Sequence, residues 1–327
     1  MAFLHELWYS MLIMWRVFFP WGNFTVDQIP DLTGQVMIVT GGNVGIGRET
    51  IKALLQHNAK VYMASRSKEK ADEAIKHLKE ETGKAAIFLE LDLSDLSSVR
   101  RAAKEFLSKE SELHALFNNA GVMVPPIEMV TKDGYDMQFG TNVVGHHLFT
   151  QLLVPALVAG KRASPDHHAR IITTSSAAAM SGFINWDTLK DGPVRRARST
   201  RAMYAQSKLA NAIVARQLAK RYADQGIISM SVDPGSIRTD LQRHAKEEFS
   251  TGIKAILLEI VFWALLRPTP FGALTQLWAG TMPEAIHHNG KYLIPTARVG
   301  TCRPEAYDDE LGARLWDWLE HEVQEKP

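Results

Sequence analysis

Thr40-Gly41-Gly42-Asn43-Val44-Gly45-Ile46-Gly47 is the stretch that decides the fold of this 327-residue chain. It grows out of Gln35 to Thr40, a short apolar run that reads as a buried strand. It leads into Ile51, Leu54 and Leu55, spaced as one helical face. Glycines at 41, 45 and 47 between a buried strand and a helix let the backbone approach a pyrophosphate closely. The amide groups at the helix start would face its oxygens.

Outward from that turn, strands and helices alternate. Lys60 to Ala64 reads as a second strand. Ser67 can cap a charged helix that runs to about Thr82, and Gly83 can end it. Ala86 to Leu91 is a third strand. Ser94 or Asp95 then caps a helix that turns Val99, Ala102, Ala103, Phe106 and Leu107 inward. Ala115 to Asn118, Arg170 to Thr174, Ile227 to Val232 and Lys291 to Ile294 read as further strands. Tyr135 to about Leu157 and Ala202 to about Gln225 read as helices. Such alternation specifies an α/β fold, a Rossmann-type doubly wound parallel sheet covered on both faces. No linker interrupts it, so a single domain over residues 31–327 is expected after an amphipathic segment at 1–30. The alternation breaks at Ser236 to Arg267. Its part Ile253 to Leu266 is nearly all apolar and too short to span a bilayer. It fits a lid at about 236–267 that lines an apolar pocket, a membrane contact, or plain packing.

Composition excludes some classes of function. With 37 Lys and Arg against 36 Asp and Glu, the net charge of +1 provides no field for nucleic acid. The one cysteine, Cys302, excludes an internal disulfide, fits a reducing compartment and reads as an ordinary loop residue. Near the N-terminus Phe3, Leu4, Leu7, Trp8, Met11, Leu12 and Trp15 form one helical stripe, interrupted by His5, Glu6 and Arg16. Two readings stay open: a helix lying in a membrane interface with Trp8, Trp15 and Trp21 at headgroup level, or a stripe packed on protein. No basic region with a small-residue cleavage site is evident, so no signal peptide is expected. The expected location is cytosolic or peripheral on an intracellular membrane.

Tyr204-Ala205-Gln206-Ser207-Lys208 puts a phenol and an ammonium on one helical face, because positions i and i+4 are neighbours there. A phenol is a poor base at neutral pH, and a nearby ammonium would favour its ionised form. The chain would then move a proton beside a bound dinucleotide. An asparagine within the long helix, Asn142, is locally unfavourable and hints at a site. His146 and His147 lie beside it, but adjacent helical positions diverge and no Cys/His cluster supports them, so no metal is expected.

Taken together, Thr40 to Gly47, Asn118-Asn119-Ala120-Gly121 and Tyr204-x-x-x-Lys208 resemble, in order and spacing, the signatures of the short-chain dehydrogenase/reductase family. Asp233-Pro234-Gly235 also matches, and the likeness covers roughly Thr33 to Ile294. It is greatest to the retinol dehydrogenase-like branch, which shares features with light-dependent protochlorophyllide reductase. The resemblance implies a catalytic set of Asn142, Ser176, Tyr204 and Lys208, with Ser175 as the fallback serine. Ser176 would orient the substrate oxygen, and Asn142 would hold a water linking Lys208 to solvent. Gly41, Asn43, Gly45, Ile46 and Gly47 would hold the dinucleotide's phosphates. Asp92 would meet the adenine, and Asn118, Ala120 and Gly121 the nicotinamide side. Tyr204, Lys208, Pro234, Gly235 and Thr239 would complete the cofactor contacts.

Cofactor choice depends on the end of the second strand. Arg66 stands there in Ala64-Ser65-Arg66, where an NAD-binding chain carries an acid, so NADP(H) is favoured. From Ser176 to Tyr204 is 28 positions, longer than in most of the family, and Arg195, Arg196, Arg198 and Arg201 fall there. That basic run reads as a solvated loop or as a site for an anionic group. The expected function is an NADP(H)-dependent oxidoreductase for a lipophilic carbonyl or alcohol, retinoid-like or another hydrophobic ketone or aldehyde. The alternatives are a reductase for a polycyclic or secondary-metabolite ketone and a non-catalytic dinucleotide sensor. Partners are expected to be a small lipophilic substrate, with membrane contact through residues 1–21 and oligomerisation left open.

Overall fold

A computed structural model describes residues 11, 22–238 and 266–324 of the chain. The stripe at 1–21, apart from Met11, and most of the 236–267 segment lie outside these residues, as does Thr239.

The strands are β1 Val36–Thr40, β2 Lys60–Ser65, β3 Ile87–Glu90, β4 Ala115–Asn118, β5 Ala169–Thr174, β6 Ile227–Val232, β7 Tyr292–Ile294 and β8 Arg298–Gly300. They form one sheet in the order β3-β2-β1-β4-β5-β6-β7-β8. All pairs are parallel except the last, where β8 folds back on β7. The central strands β1, β4, β5 and β6 are buried at every position, as expected for a parallel sheet covered on both faces. Thr40 pairs with Ala64, Asn118 with Thr173 and Thr174 with Val232, so the carboxyl ends of these strands finish level. The winding reverses between β1 and β4. A crevice outside the strand ends at such a reversal is where open α/β sheets bind ligands.

The helices are α1 Gly45–Gln56, α2 Lys68–Thr82, α3 Leu96–Lys109, α4 Gly145–Ala163, α5 Thr200–Tyr222, α6 Thr269–Thr281 and α7 Asp309–Val323. Helix α2 starts at Ser67, which accepts from the Lys70 amide, and stops at Gly83 with φ +73°. Asp95, not Ser94, caps α3, accepting from the amides of Ser97 and Ser98. Val99, Ala102, Ala103 and Phe106 line its inner face, but Leu107 is 41% exposed, one position past the stripe. The long helix expected from Tyr135 runs over Met137–Ala163 and contains a π-helical turn. A turn at Met137–Phe139 and a π-helical turn at Gly140–Val144 precede α4. The stretch Met137–Ala163 is apolar and long enough to cross a bilayer, yet most of it is buried inside the protein.

One core lies on each face of the sheet. Phe24, Ile29 and Leu32 join α1, α2 and α6 on one face, through Ile51, Leu54, Leu78 and Leu277. On the other, α3, α4, α5 and α7 pack through Phe106, Phe149, Leu209 and Leu315. Helix α7 is capped by Asp308 and lies across α4 and α5. Trp316 meets the His147 ring edge-on at 4.9 Å, with the Arg221 guanidinium 4.6 Å from its centre. His147 Nε2 lies 2.8 Å from Glu320 Oε1. Trp318 meets Tyr135 and Phe139 edge-on.

Removing the Trp316 side chain leaves a cavity between two helices. Trp316→Ala should cost about 3 kcal/mol or more of unfolding free energy, seen as a lower urea midpoint. Leu107→Ala, on the exposed side of α3, should cost less than about 0.5 kcal/mol.

Candidate active site

The glycine turn folds back on the β4 end. Gly41 and Gly45 have φ of +65° and +58°, in the region where a side chain is strained. A Cβ at Gly47 would lie 2.4 Å from the Gly41 carbonyl oxygen, and one at Gly41 would lie 3.0 Å from Ala120 Cα. Val44 precedes α1 without offering a side-chain cap, which leaves the first amides of the helix open to an outside acceptor. Asn43 and Ile46 are half-buried, and Ile46 packs where α6 passes at Gly272. These features fit a dinucleotide pyrophosphate. Arg66 is exposed directly after β2, next to Ala64, whose carbonyl accepts from the Gly41 amide at 2.8 Å. Among the described residues no carboxylate pairs with Arg66. Asp92, half-buried after β3, accepts from the Ser94 amide and hydroxyl at 2.9 and 2.6 Å.

Tyr204 and Lys208 are buried on α5. The Lys208 ammonium donates to the Thr174 carbonyl at 3.0 Å and sits 5.6 Å from the centre of the Tyr204 ring. Asn211 Nδ2 donates to the same carbonyl at 3.0 Å. The two candidate serines part company here. Ser175 is buried and donates to the Lys208 carbonyl at 2.6 Å, whereas Ser176 is half-buried and hydrogen-bonds the Tyr204 hydroxyl. Tyr292 from β7 donates to the Ser176 carbonyl at 3.0 Å and holds that segment in place. Asn142 lies in the π-helical turn. Its Oδ1 accepts from the Val122 amide at 2.8 Å, and its Nδ2 donates to Ser207 Oγ at 3.0 Å and the Val122 carbonyl at 3.1 Å. A Cβ on Gly121 would be 3.2 Å from Asn142 Oδ1 and 3.5 Å from Lys208 Nζ, which places Gly121 close against both groups.

Asn118 stands apart: it is buried, and its side-chain amide donates to Thr150 at 2.9 Å. Pro234 and Gly235 follow β6 at the same edge. Gly235 has φ +85°, and its amide donates to Asp233 at 2.9 Å.

Sequence reasoning missed two buried groups that organise the site. The Thr40 hydroxyl accepts from the amides of Asn119 and Ala120, both at 2.9 Å. Gln276 on α6 accepts from Thr174 Oγ1 at 3.1 Å and donates to Thr50 and to Asn119 Oδ1. The available signal was a lone glutamine inside an apolar helix, since a buried amide needs partners. The basic run also differs from both expectations at its first member. Arg195 is buried and pairs with Asp136 at 3.1 Å and Asp191 at 3.0 Å, and it donates to the Ile127 carbonyl at 2.6 Å. Arg196 pairs with Asp191, and Arg198 lies over the Phe183 ring.

Burial sets the protonation states. It lowers the Lys208 ammonium to about 8. It pushes the Tyr204 phenol well above its usual value; the bond with Ser176 opposes this and the Asp233 charge adds to it. The Lys208 ammonium is not among the causes that move Tyr204; it donates to the Thr174 carbonyl and lies 5.6 Å from the centre of the Tyr204 ring.

A family model described as short chain dehydrogenase matches residues 35–188. A short-chain dehydrogenase/reductase of Armillaria gallica is 56% identical over 305 residues, covering 93% of this chain and 95% of that one. The short-chain dehydrogenase/reductase pkfC of Emericella nidulans is 37% identical over 311 residues, covering 92% and 96%. Among solved structures, a protein from Mycobacterium paratuberculosis superposes with a TM-score of 0.70 at 29% identity, covering 92% of this chain and 97% of that one. A short chain dehydrogenase from Shigella flexneri complexed with NADP shares the fold, with a TM-score of 0.60 at 22% identity, covering 81% and 98%.

The lowered pKa of Lys208 has a consequence for stability. Between about 8 and the ordinary value of 10.5 the unfolded chain keeps a proton that the folded chain has lost, so wild-type stability rises with pH there. Below that window the wild type carries the full strain of a buried charge. Without added dinucleotide, Lys208→Met should therefore melt above the wild type at pH 7, and the gap should narrow as pH rises through the window. A variant that melts below the wild type at pH 7 would mean that the Thr174 bond outweighs the burial.

Proposed function

This chain belongs to the short-chain dehydrogenase/reductase family of oxidoreductases, and we propose that it is an NADP(H)-dependent member that acts on a lipophilic carbonyl or alcohol. The observation that carries this reading is the meeting of Tyr204, Ser176, Lys208 and Asn142 beside the glycine turn, at the level ends of the central strands. The family uses a nicotinamide dinucleotide. Arg66 supports the phosphorylated form, since an exposed guanidinium without a carboxylate partner among the described residues suits a 2′-phosphate. The NADP bound to the Shigella flexneri protein agrees with that preference. Apolar side chains support the substrate class. Phe183 and Val194, both between Ser176 and Tyr204, are 49% and 44% exposed, and the segment entered at Ile237 and left at Leu266 is rich in apolar residues. Retinoid-like compounds and other hydrophobic ketones or aldehydes fit that description.

NADPH, when bound, supplies the hydride. Ser176 would donate a hydrogen bond to the substrate oxygen and stabilise the negative charge that develops there. Tyr204, held protonated by burial, would give its proton to that oxygen, which suits the reduction direction. Lys208 keeps positive charge within the site while it stays protonated, and Asn142 fixes the Val122 backbone and Ser207 around it.

Tyr204→Phe should still bind NADPH but lose turnover by about 10²- to 10⁴-fold, the range that removal of a general acid can reach. Turnover near that of the wild type would refute the assignment. The substrate itself should come from a screen of carbonyl compounds with NADPH oxidation as readout. A dinucleotide sensor would bind NADPH and oxidise none.

Arg66→Asp should weaken NADPH much more than NADH, because the new carboxylate repels the phosphate and can accept from the ribose hydroxyl. Equal losses for the two cofactors, measured by fluorescence titration, would show that Arg66 only shapes the turn.

A further inference from the structure

None of the roles above uses the His146 imidazole, although it lies where the three motifs meet. It is buried, with Nε2 2.8 Å from Thr40 Oγ1 and Nδ1 3.0 Å from the main-chain oxygen of Asn142. Donor accounting decides its tautomer. The Thr40 hydroxyl oxygen already accepts from the Asn119 and Ala120 amides, which fills its two lone pairs. Its single hydrogen then goes to Nε2, because the Phe117 carbonyl is farther away at 3.3 Å. Nε2 accepts, so Nδ1 carries the proton and donates it to the Asn142 carbonyl. The other tautomer would give Thr40 a third donor and set the Nδ1 lone pair against the carbonyl oxygen. Burial lowers the imidazole to about 4, against the bond to Asn142 and with the Lys208 charge, so the ring is neutral at pH 7.

The chain of donors has one direction: Thr40 to His146 to Asn142. It joins the last residue of β1, where the glycine turn begins, to the Asn119-Ala120 segment and the π-helical turn. Backbone hydrogen bonding in a π turn departs from the α pattern. Within that turn the His146 ring adds a side-chain bond to the Asn142 carbonyl. The Asn142 side chain is held by Val122 and Ser207, whereas His146 addresses the carbonyl.

We propose that His146 is a positioning residue for this oxidoreductase site, which locks the Asn142 backbone to the glycine turn through the Thr40 hydroxyl. The proposal rests on the functional reading above. Three substitutions take the link apart. His146→Asn sets an N–H near the Nδ1 position and keeps the bond to Asn142 only. His146→Gln reaches Thr40 with an acceptor and gives up Asn142. His146→Phe gives up both and keeps the ring volume. With NADPH and a reducible carbonyl, His146→Phe and His146→Gln should lower kcat about 10- to 100-fold, as misplacement of reacting groups does. The KM for NADPH should change little, and His146→Asn should lose a similar factor, because the bond to Asn142 without the bond to Thr40 leaves the link open. Losses that merely track the three melting temperatures, or wild-type activity in a variant that keeps only one of the two bonds, would overturn the proposal.

A second arm needs no turnover. The chain has 12 histidines, and the His146 signals in long-range ¹H–¹⁵N correlation NMR are those missing from His146→Phe. At pH 7 they should report the Nδ1–H tautomer. An Nε2–H tautomer or a doubly protonated ring would overturn the link. Wild-type protein that shows the Nδ1–H tautomer and yet reduces no carbonyl with NADPH would refute the reductase reading while the link stands.

Discussion

Holding the Lys208 ammonium away from water is the constraint on which the rest of the molecule turns. A buried charge is costly unless it is hydrogen-bonded. Lys208 has the Thr174 carbonyl for this, on the last residue of β5. Pairing with β4 and β6 on either side holds that strand in place. Helix α5 must then be dry on nearly every side, and it is buried at every position from Met203 to Ala215. A helix without a solvent face needs cover all round. The sheet covers one side, and α7 covers another with Leu315, Trp316 and Leu319. The low pKa of Lys208 and the high pKa of Tyr204 both come from burial, so the cover on α5 sets both.

Much of this was legible in the sequence because the signals are local. Apolar runs bounded by turn residues mark the strands, and glycines at fixed offsets mark the phosphate turn. The spacing of Tyr204 and Lys208 marks the pair proposed to react. What stayed hidden depends on partners far away in the chain. Arg195 reads as one of four solvated arginines, yet it meets Asp136 59 positions upstream, inside the protein. The π-helical turn at Asn142 follows from contacts with Val122 and Ser207, which propensity cannot anticipate. Helix α7 carries an apolar stripe of its own, but the surface it covers belongs to α4 and α5. Leu107 was misplaced for a smaller reason: the stripe on α3 is narrow, and one residue past Phe106 already faces water.

One cluster of polar groups lies at the carboxyl edge of the sheet. Thr40, Asn119, Asn142, His146, Ser207, Asn211 and Gln276 are all near the carboxyl ends of β1, β4 and β5, and most serve two partners each. A network of this kind stabilises only when its members are satisfied, and then it specifies one geometry. Gln276 extends it to α6, the helix that follows the segment expected to form the lid. Helix α1 behind the glycine turn, the β5 end and the helix that follows the 236–267 segment are thus tied by one amide.

The substrate side is built differently. The chain leaves the sheet after β6 and returns at α6. The two ends of that excursion are held side by side, Ile237 against Arg267, with Arg238 N and Arg267 N each donating to a backbone carbonyl at 2.9 Å. The segment between Ser176 and Tyr204 is pinned at Arg195 in the same manner, by a few bonds to one residue. The candidate catalytic groups sit on α5, on the π-helical turn and just past β5, whereas the segment between Ser176 and Tyr204 exposes Phe183 and Val194. On the proposed reading, changes between the clasps can alter which molecule is accepted without disturbing the ends of β4, β5 and β6. Loops placed by a rigid scaffold are the usual seat of such variation. The separation also explains why sequence motifs speak clearly of reaction class and faintly of substrate: the motifs belong to strand ends and turns with strict geometry, whereas an apolar loop needs only to remain apolar.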